Sequence, residues 1–127
     1  MRLTGCNVIV AGLLSAKIST PDAVVAAVRA ELESAGASVV GVVIQRRGVS
    51  RDTRPGGAHR MNVPLSPKTF IGEGKARELG QLCSSTGADL VVFLNPLSQR
   101  QKETLARITN VRIQDVKSLR LRNPTLE

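Results

Sequence analysis

Ala88-Asp89-Leu90-Val91-Val92-Phe93-Leu94 is a run in which only Asp89 is polar, closed in front by Gly87 and behind by Asn95-Pro96. Unbroken apolar stretches of this length belong to strands buried on both faces, as in the centre of a parallel sheet. The flanks agree. Upstream, Gly72-Glu73-Gly74-Lys75 leads into a helix reaching Thr86, with Ala76, Leu79 and Cys83 on its inner face and Gly87 as its left-handed stop. Downstream, Ser98 with Gln101 three residues on forms a capping box for another helix. Leu105 and Ile108 give that helix its apolar stripe, and Asn110 ends it. Val111-Arg112-Ile113-Gln114-Asp115 then alternates apolar and polar residues, as an edge strand does.

The N-terminal half repeats the rhythm. Asn7 to Ala11 reads as a buried strand ended by Gly12, and Ser19-Thr20-Pro21-Asp22 announces a helix through a hydroxyl cap, a first-turn proline and an early acid. Val25, Val28, Leu32 and Ala35 share its inner face, Gly36 stops it, and the β-branched run Val39 to Ile44 makes the next strand. Thr69-Phe70-Ile71 reads as a further short strand. The expected fold class is α/β, a mostly parallel sheet of four to five strands flanked by helices on both faces. The domain spans residues 1–116 and is followed by a basic tail, 117–127, carrying Lys117, Arg120 and Arg122.

A chain of 127 residues has room for one ordinary core. Its longest apolar runs are too short to span a bilayer, and no amphipathic helix has a basic face, which argues against a membrane partner. Cys6 and Cys83 are too few and too far apart for a zinc cluster or a disulfide framework, and this usage points to the cytoplasm. The net charge of +8 has two readings, a polyanionic partner such as RNA, DNA or an anionic membrane face, or a surface that is merely solubilised by its basic residues.

Much of that charge sits in the one segment that breaks the rhythm, residues 46–67, with three prolines, three glycines and no sustained period. Arg46, Arg47, Arg51, Arg54, Arg60 and the adjoining Lys68 face only Asp52, a surplus of five positive charges. Such a loop is either a solvated excursion or a contact for RNA. Guanidinium forks match phosphate oxygens, so the arginine content favours RNA. Phe70 and Phe93 are the only aromatic residues, and both lie in expected strands, so recognition rests on phosphate contacts and shape rather than base stacking.

Catalytic constellations are missing from the sequence. His59 is the only histidine, which removes Ser-His-Asp and Cys-His systems and leaves no metal-ligand cluster. Gly72-x-Gly74-Lys75 lies between a strand and a helix, where backbone amides and the helix dipole can hold an anion. A full phosphate loop fails at both ends, since Thr69 stands where its first glycine belongs and Ala76 where its magnesium-binding hydroxyl belongs. The dinucleotide fingerprint fails at Arg77. Two readings of the turn stand, close packing and the capture of a phosphate or small anionic ligand, and neither implies hydrolysis.

The stretch from Pro67 to Leu79, with its Ile71-Gly72-Glu73-Gly74-Lys75 turn, resembles the N-terminal domain of the HflX family of ribosome-associated GTPases. Gly87-Ala88-Asp89, Leu97-Ser98-x-x-Gln101, the Gln45-Arg46-Arg47 strand ending and Val111-x-Ile113-x-Asp115 extend the likeness over most of residues 7–115. After Asp115, and in the longer segment from Gly48 to Ser66, the sequence departs from the family pattern. The resemblance implies a parallel α/β unit that precedes a GTPase domain, in a protein that binds the large ribosomal subunit and uses GTP and Mg2+. It makes rRNA the expected partner, with a GTPase domain in cis or in trans as a second. The expected function is non-catalytic RNA binding, and no cofactor is expected in this chain, because GTP and Mg2+ would belong to the GTPase domain.

Overall fold

The computed structural model describes residues 3–15, 21–47 and 68–121. Seven elements follow in chain order: β1 (Asn7–Ser15), α1 (Pro21–Ser34), β2 (Ser38–Arg47), α2 (Glu73–Thr86), β3 (Leu90–Phe93), α3 (Gln99–Thr109) and β4 (Arg112–Asp115). The four strands form one sheet in the order β2-β1-β3-β4, and every pairing is parallel. This is the α/β class expected, at the four-strand end of the range.

Side chains alternate across each strand, so the unbroken apolar runs feed two cores at once. On one face Val8, Val10, Leu14, Leu90, Val92 and Leu94 pack against Val24, Val28 and Leu32 of α1. On the other, Ile9, Ala11, Leu13, Val91, Phe93 and Ile113 pack against Ala76, Leu79 and Cys83 of α2 and Leu105 of α3. Asp89, the polar residue of the decisive run, lies just before β3. Its backbone N–H donates to Asn7 O at 2.7 Å and its Oδ2 accepts from Asn7 N–H at 2.9 Å, which fixes the entrance of β1.

The helix signals hold. Ser98 Oγ accepts from Gln101 N–H, and the Gln101 side chain returns a bond to Ser98 N–H, completing the capping box. Gly87 and Asn110 end α2 and α3 in the left-handed conformation, at φ 67° and 60°. The Ser19 cap lies outside the described residues.

Four local expectations need correction. Gly12 does not end the first strand, which runs on through Leu13 and Leu14 to Ser15. Thr69-Phe70-Ile71 is not a strand among the described residues. Ile71 N–H donates to Thr69 O at 2.8 Å across Phe70, whose φ is +70°, which is a tight γ-turn that drops the Phe70 ring into the core. The inner stripe of α1 is Val24, Val28 and Leu32, while Val25 is half-buried and Ala35 exposed. In α3, Ile108 is 41% exposed, and Gln101, Leu105 and Thr109 form the buried stripe, because the helix turns its capping residue inward. Beyond β4, residues 116–121 close a turn in which Leu121 N–H bonds to Val116 O, and Leu119 and Leu121 pack onto the α1-side core.

Candidate functional site

In parallel sheets ligands gather at the carboxyl ends of the strands, where the chain order reverses. Here the first crossover runs from β1 to β2 and the next carries the chain back to the other side of β1, so the reversal falls between β1 and β3. That crevice is filled from within. Asn95, immediately beyond β3, accepts from Leu13 N–H through Oδ1 at 2.8 Å and donates through Nδ2 to Leu13 O at 3.0 Å. Its amide thus stands in for one more residue of strand pairing on β1. In the sequence this asparagine reads only as a strand breaker; the Asn-Pro step after an apolar run was the one available signal.

The basic stretch leaves the fold at the same edge. β2 continues through Arg47, so Arg46 and Arg47 are the last two residues of a strand. Arg46 is exposed and donates through Nη2 to Ser15 O at the end of β1, at 2.9 Å. One step earlier, Gln45 points to the opposite face and its Oε1 accepts from Gly72 N–H at 2.8 Å. A Cβ on residue 72 would come within 3.3 Å of the Gln45 amide, so the close approach suits glycine. This bond brings the chain back, at the start of α2, to the point where it left β2. Lys68 is exposed on the returning side. Arg51, Arg54 and Arg60 lie outside the described residues, as do the side chain of Arg47 and His59.

The Gly72 to Lys75 turn forms the N-terminus of α2. Gly72 is the N-cap, without a side-chain cap bond, and its carbonyl accepts the first helical bond from Ala76 N–H at 2.9 Å. Its own N–H is engaged by Gln45. Lys75 is turned along the helix, with Nζ 2.9 Å from Glu78 Oε2. Glu73 adds a carboxylate to the first turn, where the helix dipole favours negative charge. Gly74 has open space around its Cα. The turn's positive end is therefore met in part by the chain's own groups.

At the far end of the same edge sits a buried polar cluster around Asp115, which is 2% exposed. Its Oδ2 accepts from Leu97 N–H at 2.8 Å and its Oδ1 from Ser118 N–H at 2.7 Å. Lys102 Nζ lies 3.8 Å from the carboxylate and donates to Ser118 Oγ at 2.9 Å. Burial pushes the Asp115 carboxyl up, but the amides of Leu97 and Ser118, the Ser118 side chain and the Lys102 ammonium outweigh it and hold it below its ordinary value. Burial pushes the Cys83 thiol up, which makes it unreactive. Both are structural roles. Among the described residues no His, Cys, Asp and Glu group could hold a metal ion, and no helix is long and apolar enough to cross a membrane.

Comparison with known proteins fits this geometry. The family model described as GTP-binding GTPase N-terminal matches residues 25–122. The GTPase HflX of Escherichia coli (strain K12) is 43% identical over 49 residues, which cover 39% of this chain and 12% of that protein's length.

Proposed function

Because the chain belongs to the family of GTP-binding GTPase N-terminal domains, we propose that it is a non-catalytic module for binding ribosomal RNA, acting in the cytoplasm through the arginine-rich stretch from Arg46 to Lys68. The supporting observation is the stem of that stretch. Arg46 is the exposed, next-to-last residue of a strand that ends at Arg47, and the Gln45–Gly72 bond brings the chain back beside that end, with Lys68 exposed on the returning side. Guanidinium groups suit a phosphate surface, whose contacts position a protein without reading bases. The large ribosomal subunit is the proposed target. The matched segment is 12% of the relative's length, and we assign GTP and Mg2+ to a separate GTPase domain that this module would serve in cis or in trans. Phosphate capture at Gly72, Gly74 and Lys75 draws less support, because Gly72 N–H and the Lys75 ammonium already have partners.

Binding of the full chain to purified large ribosomal subunits, titrated across salt, tests the reading. About five phosphate contacts give a log–log salt slope of roughly −3 to −4. Changing Arg46, Arg47, Arg51 and Arg54 together to alanine removes most of that slope and most of the affinity. Binding that ignores salt, or that survives the fourfold change, overturns it.

A further inference from the structure

The two edges of the sheet are built differently. β4 forms an edge only four residues long, beginning with the charged and exposed Arg112, which is how natural edges are kept from pairing. The β2 edge is ten residues long. It carries no charged side chain from Ser38 to Gln45, and after a bulge at Val40 it runs in unbroken register from Gly41 to Arg47. Among the described residues no strand pairs with its outer side. Long, uncharged edges of this kind are templates for another strand.

The α1 face of this edge is apolar as well. A groove of about 490 Å³ runs between α1 and β2, with Val25, Ala26, Val42 and Ile44 in its floor. Val42 is 40% exposed, although it sits in the middle of a strand. The charges at the rim decide what fits. Asp22 and Arg29 both line the groove from α1, two helical turns and about 10 Å apart, with Val25 and Ala26 between them; Arg29 Nε also lies 3.5 Å from Glu33 Oε2 on the same helix, and Arg46 lines the groove from the end of β2. A two-fold axis through that midpoint sets the Asp22 of each copy against the Arg29 of the other. The α1 side of the rim is thus self-complementary, as an isologous interface requires, and antiparallel pairing of the two β2 strands carries the Arg46 of each copy to opposite ends of the joined grooves.

We propose that the outer edge of β2 and the α1–β2 groove form a self-association surface, on which a second copy of this chain seats its own β2 antiparallel. The two sheets join into one of eight strands, and the two α1 helices close over the merged grooves.

Sedimentation equilibrium of the full chain, from low micromolar to several hundred micromolar, should show the mass rise from 13.5 kDa toward twice that value. Asp22→Arg and Arg29→Asp should each weaken association by about tenfold, because each sets like charges together twice per dimer. The double variant should regain most of the loss. Val42→Lys should give a monomer and Val42→Thr should not, with circular dichroism melts showing that each variant folds. A mass that stays at 13.5 kDa at every concentration overturns the proposal, as does a double charge swap that associates no better than the singles. Protection from hydrogen exchange of the β2 amides that point away from β1, persisting unchanged on dilution, also overturns it, since the edge would then be covered by the chain itself.

Discussion

Replacing Asn95 with leucine keeps the branching of the side chain and removes both bonds to the backbone of Leu13, a residue only 5% exposed. Each bond contributes about 1 kcal/mol net, and each backbone group left unpaired in a dry site costs about 1–3 kcal/mol. Two groups in a fully dry site would cost up to about 6 kcal/mol, but Asn95 is half-buried and water can reach part of the site, which favours about 2–3 kcal/mol. The chain has no Trp and no Tyr, so urea unfolding should be followed by far-ultraviolet circular dichroism. With a slope of about 2 kcal/mol per molar, the midpoint falls by about 1–1.5 M. Asn95→Asp separates the two bonds. It keeps the acceptor for Leu13 N–H and sets a carboxylate against Leu13 O, so the introduced carboxyl has a raised folded-state pKa. Its folded form is favoured at low pH, and its stability falls as pH rises through about 4 and above. A midpoint shift below about 0.25 M for Asn95→Leu at unchanged slope would refute the reasoning, because it would mean that water pairs Leu13 as well as Asn95 does.

Asp115 has its pKa lowered in the fold, so the stability it contributes is present above the ordinary value of 3.8 and is lost as pH falls through the folded value. Asp115→Asn should cost about 2 kcal/mol near neutrality, with the gap to the native chain closing in acid between about pH 5 and 2, read from urea midpoints across pH. Gly41→Ala would place a Cβ 2.8 Å from Leu82 Cδ2. It should destabilise by about 1 kcal/mol, and combination with Leu82→Ala should show favourable coupling of at least about 0.5 kcal/mol in a double-mutant cycle.

Local signals carried most of the architecture. The capping box at Ser98 and Gln101, the left-handed stops at Gly36, Gly87 and Asn110, and the apolar run through Leu90–Phe93 each name a conformation that neighbouring residues alone determine, and each is found. The failures came where a distant partner decides. Phe70 has a strand former's side chain, yet its backbone is bent to φ +70° so that the ring can enter the core. Asn95 and Gln45 look like ordinary polar residues at strand ends, and their roles depend on Leu13 and Gly72, 82 and 27 positions away. The arginine stretch was legible as charge, and its position at the sheet edge was not, because strand order is a property of the whole fold. The groove beside β2 was equally hidden, since Val25 reads as core until the helix is seen to face Val24 inward.

The Gln45–Gly72 bond has an evolutionary consequence. Once both feet of an excursion stand on one spot, its contour length hardly enters the folding free energy, since doubling a flexible loop adds only about 0.6 kcal/mol. Residues between those feet can be gained, lost or rewritten while the scaffold below keeps its register. A single side-chain amide thereby ties the start of α2 to the end of β2, whatever the number of residues between them.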